Sequence, residues 1–148
     1  MKSTIYRLIL YFLIPLKLFS QDLVPYEENQ LWGYKDLNGN TVIKPQYQYA
    51  FKFILKTAVV AKNDSVGVID ENNHLVIPIR YHHISQIDTT DFLFGYRQKY
   101  FGEFDLGIIT RDNKVKIPPK YSYIAKHHSS RYIIKREVDS IMGKGLAG

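Results

Sequence analysis

Trp32-Gly33-Tyr34-Lys35-Asp36-Leu37-Asn38-Gly39-Asn40-Thr41-Val42-Ile43-Lys44-Pro45-Gln46-Tyr47 is one copy of a pattern that returns twice further along the chain. Thirty-four residues on it reads Val66-Gly67-Val68-Ile69-Asp70-Glu71-Asn72-Asn73-His74-Leu75-Val76-Ile77-Pro78-Ile79-Arg80-Tyr81. Forty residues beyond that it reads Leu106-Gly107-Ile108-Ile109-Thr110-Arg111-Asp112-Asn113-Lys114-Val115-Lys116-Ile117-Pro118-Pro119-Lys120-Tyr121. In each copy the Gly and the closing Tyr lie 14 residues apart without a gap. Such a repeat decides the fold class before any single motif does, because each unit is a supersecondary element that buries its apolar face against its neighbours.

Inside each copy, two short apolar stretches flank a polar turn. The central dipeptides are Asn38-Gly39, Asn72-Asn73 and Asp112-Asn113. These residues tolerate positive φ, so the spacing predicts a two-residue type I′ hairpin. Asp36 and Asp70, just before the turn, are expected to accept backbone N–H bonds and shape it. Proline cannot donate to a ladder, so Pro45, Pro78 and Pro118-Pro119 are expected to stop pairing or to lie at an edge. The Tyr that follows is expected to fold over the hairpin as a buried anchor. Trp32, Gly33, Tyr47, Gly67, Tyr81, Gly107 and Tyr121 therefore read as structural repeat positions.

The unit extends backwards. Val24 to Leu31 aligns with Ala58 to Ser65, and the third copy of this strand is Phe92 to Arg97. Each such strand begins 11 residues after a repeat Tyr, so Tyr132 to Arg136 opens a fourth copy. Between the Tyr and the next strand runs a connector with Ala50, Ile84 or Ile124 three residues on. It continues through Phe51, Phe53 and Ile54, or Ile87, and reads as a loop that tucks apolar side chains between units. The insertion Gln98-Lys99-Tyr100-Phe101-Gly102-Glu103-Phe104-Asp105 lengthens one hairpin and accounts for the longer second spacing. Nothing after residue 20 has helical periodicity. The expected fold is all-β: tandem three-stranded antiparallel β-meander repeats in a short, open, solenoid-like or propeller-like array, preceded by an N-terminal signal helix. The expected divisions are a signal peptide over 1–20 and a repeat domain over 21–148, with units at about 22–55, 56–89 and 90–129 and a partial fourth at 130–148.

Of the 148 residues, 45% are hydrophobic, as a globular chain requires. The 12 Tyr and 8 Phe lean towards strands. The absence of Cys excludes disulfides, thiolate metal sites and a thiol nucleophile. Lys2 and Arg7 precede an apolar run from Leu8 to Leu16, and Ser20 supplies a small residue before Gln21-Asp22. That is the pattern of a cleaved secretory signal, too short for a comfortable membrane span. The expected location is secreted or periplasmic, in the cell envelope, with no stable membrane insertion once the signal is removed. The whole chain carries +6, but residues 1–20 hold three basic and no acidic side chains, which leaves +3 on the rest. So modest a charge, outside the cytoplasm, argues against nucleic-acid binding.

Trp-Gly-Tyr-Lys-Asp, a turn, and Val-Ile-Lys-Pro-Gln-Tyr resemble the units of the WG-repeat (KWG-repeat) family, over residues 24 to about 137. The first copy carries the resemblance through Trp32, Gly33, Tyr34, Asp36, Gly39, Val42, Ile43, Pro45, Gln46 and Tyr47. Later copies depart from it: Val66 and Leu106 stand for Trp, Asn73 and Asn113 for Gly, and Thr110 for Asp. The resemblance implies a bacterial, β-rich repeat protein, often exported, with no enzymatic activity and no known ligand.

The residues offer little for catalysis. His82-His83 and His127-His128 are adjacent pairs whose members would point to opposite faces of a strand, and His74 flanks a turn, so no metal or other cofactor is expected. The carboxylates at Glu27-Glu28, Asp70-Glu71, Asp88 and Asp91, and Glu103 and Asp105 show no cleft geometry in the sequence. The copies differ most at the insertion, where exposed aromatics favour contact with a macromolecule. Tyr96, Tyr100, Phe101 and Phe104 are the candidate partner-binding residues. The expected function is a non-catalytic exported module that binds protein or serves a structural role. Glycan or cell-wall binding through the aromatics is the first alternative, and a small envelope hydrolase the second.

Overall fold

Runs rich in Val, Ile, Tyr and Phe, broken every few residues by Asn, Asp, Gly or a single bend, leave a chain little choice but short strands. The computed structural model describes residues 22–98, 103–128 and 131–136, and across them it has strands and no helix. The expected signal segment 1–20, residues Tyr100 and Phe101, and most of the closing tail lie outside the described residues. The first sheet holds β1 (Val24–Glu28), β2 (Leu31–Lys35) and β3 (Thr41–Tyr47). The second holds β4 (Tyr49–Ala50), β5 (Thr57–Lys62), β6 (Ser65–Asp70) and β7 (Leu75–Tyr81). The third holds β8 (His83–Gln86), β9 (Asp91–Arg97), β10 (Phe104–Thr110) and β11 (Val115–Tyr121), and a last pair joins β12 (Tyr123–His127) to β13 (Arg131–Lys135). Every pairing is antiparallel, and each sheet is a simple meander.

The meander has four strands rather than three, because the expected connecting loop is itself a strand. After each repeat Tyr a one-residue bend sends the chain into the next sheet. The bend residue then bonds the strand that will follow it: Gln48 N–H to the Ala61 carbonyl at 2.9 Å, His82 N–H to Gly95 at 3.0 Å and Ser122 N–H to Lys135 at 3.0 Å. The acceptors are repeat-equivalent, so one joint is built three times. Residues 49–55 and 83–89, read from sequence as the ends of the first two units, belong to the sheets of the units after them. A stretch as short as β4 is too brief to show alternation, which is why it reads as a loop.

The expected type I′ geometry is present, but at other turns. Both central residues have positive φ at Asn29-Gln30 and Asn63-Asp64, between the first and second strands of a unit. At the turns where it was expected, only Gly39, Asn73 and Asn113 have positive φ. There, Gly39 N–H bonds the Asp36 carbonyl at 3.0 Å and Asp36 N–H bonds the Asn40 carbonyl at 2.9 Å. This is an ordinary turn followed by one left-handed residue, the common three-residue hairpin loop. The carboxylate role holds as expected: Asp36 Oδ1 accepts from the N–H groups of Asn38 and Asn40, and Asp70 Oδ1 from those of Asn72 and His74. Thr110 takes over in the third unit, its hydroxyl accepting from Lys114 N–H.

The strand after the turn does not end at its proline. Pro45, Pro78 and Pro118-Pro119 lie within β3, β7 and β11, each the edge strand of its sheet. The register slips around them. Trp32 faces Tyr47 and Tyr34 faces Ile43, so two steps on β2 are matched by four on β3. The same slip occurs between Val66–Tyr81 and Val68–Ile77, and between Leu106–Tyr121 and Ile108–Ile117. The surplus residues arch over the repeat Gly as a bulge. A Cβ on Gly33 would stand 2.3 Å from the Ile43 carbonyl oxygen, and one on Gly107 would stand 2.5 Å from that of Ile117.

The two residues after the Gly explain the stacking. Neighbours on a strand face opposite ways, yet Val68 and Ile69 are both fully buried, as are Ile108 and Ile109. Ile69 packs backwards into a cluster with Tyr34, Ile43, Tyr47, Ala58 and Val60, while Val68 packs forwards with Ile77, Tyr81, Phe92, Phe94 and Ile109. The second sheet is thus covered on both faces. Each fully buried aliphatic or Phe side chain contributes about 1.5–3 kcal/mol, set against the entropy of ordering it. The Tyr anchors behave as expected at Tyr47 and Tyr81, which are buried, while Tyr121 is only half-buried. Tyr47 also reaches the next unit, donating its hydroxyl to Asn73 Oδ1 at 2.6 Å.

Candidate functional site

Beyond β4 the chain carries Phe51, Lys52, Phe53 and Ile54 into a turn of Leu55 and Lys56, then returns as β5. Ile54 N–H bonds the Thr57 carbonyl at 2.8 Å, and Thr57 N–H bonds Ile54 at 3.0 Å. This closes a two-residue hairpin with φ of 49° at Leu55 and 66° at Lys56. A bulky side chain at positive φ is strained by about 1–2 kcal/mol. The corresponding stretch of the third unit is Asp88-Thr89-Thr90-Asp91, which avoids positive φ. It is closed instead by the Asp88 carboxylate, which accepts from the N–H groups of Thr90 and Asp91. The hairpin position therefore does not require Leu. What the second unit gains is an apolar tip: Phe51 is 59% exposed, Ile54 58% and Leu55 50%.

The tip is held from both sides. Tyr34, wholly buried in the first unit, donates its hydroxyl to the Phe51 carbonyl at 2.8 Å. Burial, and secondarily the nearby Tyr47, pushes the Tyr34 pKa well above that of an ordinary tyrosine, so the hydroxyl keeps its proton. From the third unit, the Arg111 guanidinium donates to the Leu55 carbonyl at 3.2 Å. Phe53 points inward and packs edge-on against Tyr34, with ring centroids 4.8 Å apart. The expected tucking of the connector thus holds for Phe53 but not for Phe51 and Ile54, which stay exposed.

Between this hairpin and β8 lies a groove of about 350 Å³, walled by Phe51, Ile54, Leu55, Val59, Ile84 and Ile87. Its floor is fixed by Thr57, whose hydroxyl donates to Gln86 Oε1 at 3.3 Å, and by Gln86 Nε2, which donates to the Asp88 carbonyl at 3.0 Å. Such a volume, mostly apolar with a few polar groups, suits inserted side chains rather than a large cofactor.

The candidates named from sequence lie elsewhere. Tyr96 is 37% exposed and leans on Tyr81 at 5.5 Å between ring centroids. Phe104 is half-buried against the His83 ring at 5.3 Å. Tyr96 pairs across the ladder with Asp105, and Phe104 with Arg97, so the two aromatics point to opposite faces of the third sheet. The described parts of the insertion do extend the β9–β10 hairpin, with Gln98 N–H bonding the Glu103 carbonyl at 2.9 Å and Gln98 Nε2 bonding Asp105 Oδ1 at 2.9 Å. Tyr100 and Phe101 lie outside the described residues.

Among the described residues no three His, Asp or Glu side chains converge as metal ligands. His82 Nδ1 accepts from Arg97 N–H, and burial lowers the pKa of His83. The Asp88 and Asp91 carboxylates are committed to structure. Asp91, 4% exposed, takes Lys116 Nζ at 2.8 Å and also the Tyr132 hydroxyl, while Asp88 pairs with Lys126. The Lys126 and Tyr132 bonds fasten β12 and β13 to the third unit.

Comparison with known proteins agrees with the repeat reading. Residues 32–64 and 67–88 match the family model described as "WG containing repeat". No curated protein and no solved structure matches the chain. The two matched stretches begin at the Trp of the first copy and the Gly of the second, and the third copy repeats their bulge, turn and joint: the chain carries WG-type repeats over residues 32–64 and 67–88.

Proposed function

We propose that this chain is a non-catalytic β-repeat module that docks a partner protein on the Phe51–Leu55 hairpin and the groove beside it, and that residues 1–20 export it to the cell envelope or beyond. One observation carries the docking reading: three large apolar side chains, each at least half exposed, stand on a strained turn that the next unit builds from polar residues. Rigid support by Tyr34 and Arg111 limits the ordering entropy that association costs. Photo-crosslinking tests it. Benzoylphenylalanine in place of Phe51 should give a discrete adduct in cell-envelope extract. The same group in place of Val115, an equally exposed apolar residue on β11, should not. Equal labelling at both positions, or none at Phe51, overturns the reading. The export half predicts that the mature chain begins near Gln21, which intact mass of the secreted product decides.

A further inference from the structure

The groove has a charge as well as a shape, and resting on the docking reading above, we infer that its occupant is an extended, acidic peptide segment of the partner with alternating apolar anchors. Lys52, exposed, lines it, no carboxylate does, and Lys56, also exposed, follows Leu55 in the turn. Asp88 pairs with Lys126, and Asp22 and Glu71 line a second hollow that Lys52 and Lys56 also reach. Lys52 therefore sets a positive charge beside an apolar floor, which selects carboxylates flanking hydrophobic side chains.

The shape selects an extended chain. The groove runs between β8 and the continuation of β4. Each of these strands lies at the end of its sheet's order, with a strand neighbour on one side among the described residues. A peptide laid along them could add backbone hydrogen bonds to either edge, as in recognition by strand addition. Alternate side chains of such a peptide would point down between Phe51, Ile54 and Ile84, and the others up towards the lysines. A lipid surface would also answer to lysines and apolar residues, but Phe51, Ile54 and Leu55 wall a concavity with Ile84 and Ile87, which an extended chain can enter more readily than a bilayer face.

The test is fluorescence anisotropy on the full chain. The probe is a fluorescein-labelled peptide of alternating Asp with Phe and Leu; one control has Lys for every Asp and another has Ser for every apolar residue. The acidic-apolar peptide should bind at least about tenfold tighter than either control, and Lys52→Glu/Lys56→Glu should invert the preference towards the Lys peptide. Both lysines are exposed, so the variant should melt like the parent, which circular dichroism checks. Equal binding of the Asp and Lys peptides overturns the charge assignment. Sedimentation with phosphatidylglycerol vesicles in the absence of peptide binding overturns the peptide in favour of a membrane surface. Failure of every peptide while Phe51 still crosslinks a protein overturns this inference and leaves the docking reading standing. Failure of both removes the two together.

Discussion

Gly33, Gly67 and Gly107 are where one atom decides most. Each lies under the bulge of its neighbouring strand, so what fails on substitution is space. A Cβ would meet backbone oxygen at 2.3 Å over Gly33 and 2.5 Å over Gly107, while over Gly67 its nearest neighbour is the Ile79 side chain at 2.7 Å. Gly33→Ala and Gly107→Ala should each destabilise by about 3 kcal/mol or more, and Gly67→Ala by somewhat less. Gly39→Ala is a useful contrast, because nothing stands within 4 Å there and only its φ of +86° opposes a side chain. It should cost about 1–2 kcal/mol. Urea unfolding followed by the fluorescence of the lone Trp, Trp32, ranks the four. A second prediction concerns hydroxyls: Tyr34→Phe and Tyr47→Phe should each cost about 1 kcal/mol, since each strands one acceptor in the next unit. The recurrence of Gly was plain in the sequence. Its cause was not, because a bulge depends on a register that no local pattern displays.

β12 and β13 are fastened to the third unit through Asp88 and Asp91, and that makes their attachment sensitive to pH. The bond from Lys126, helped by the N–H groups of Thr90 and Asp91, holds the Asp88 carboxyl well below the ordinary aspartate value of 3.8. A depressed carboxyl adds stability above its unfolded value, and that stability is lost as the pH falls below about 4. Tyr132 has the opposite sign. Burial, and then its bond to Asp91, raises it above the ordinary 10.0, so its contribution is complete below that value and fades as the pH rises past it. Corrected hydrogen exchange over Tyr123–Lys135 should therefore show greatest protection between about pH 5 and 9, with Asp88→Asn flattening the acid limb and Tyr132→Phe the alkaline one. Equal protection at pH 3 and pH 7 in the parent would show that the ion pairs do not hold this strand pair. The turns were legible in part. Asn, Asp and Gly marked where the chain reverses, and Asp36 and Asp70 marked which side chains cap it. Which turn takes two left-handed residues was hidden, because Asn29-Gln30 and Asn38-Gly39 look alike on paper.

Coupling between the sheets runs through the paired residues after each Gly. Ile69→Ala and Ile109→Ala should each cost about 2–4 kcal/mol, because each opens an inter-sheet face rather than a single sheet. If the stack unfolds as one body, the urea m-value should not change; a lower m would mean that a unit had detached. The all-β class, the repeat and its phase could be read directly, since periodic Gly, Pro and Tyr survive in any one sequence. The groove could not. Phe51, Ile54 and Leu55 look like filler for the interior, and only the position of β8 reveals that they face outward. Aromatic content drew attention to Tyr96 and Phe104 instead, and those two pack against Tyr81 of the second sheet and His83 of their own.

The hand-over of the chain after Tyr47, Tyr81 and Tyr121 also bears on how such a protein changes length. Because the last strand of one sequence unit opens the sheet of the next, an added segment of 34 residues, the spacing between the first two Gly, supplies four strands wherever its ends fall. In-frame duplication should therefore be tolerated at any phase, with no need for a recombination break to coincide with a structural border. Fragments obey a stricter rule. A cut in the bend at Gln48 or His82 leaves whole sheets on both sides, whereas a cut eight residues later deprives one sheet of its outer strand.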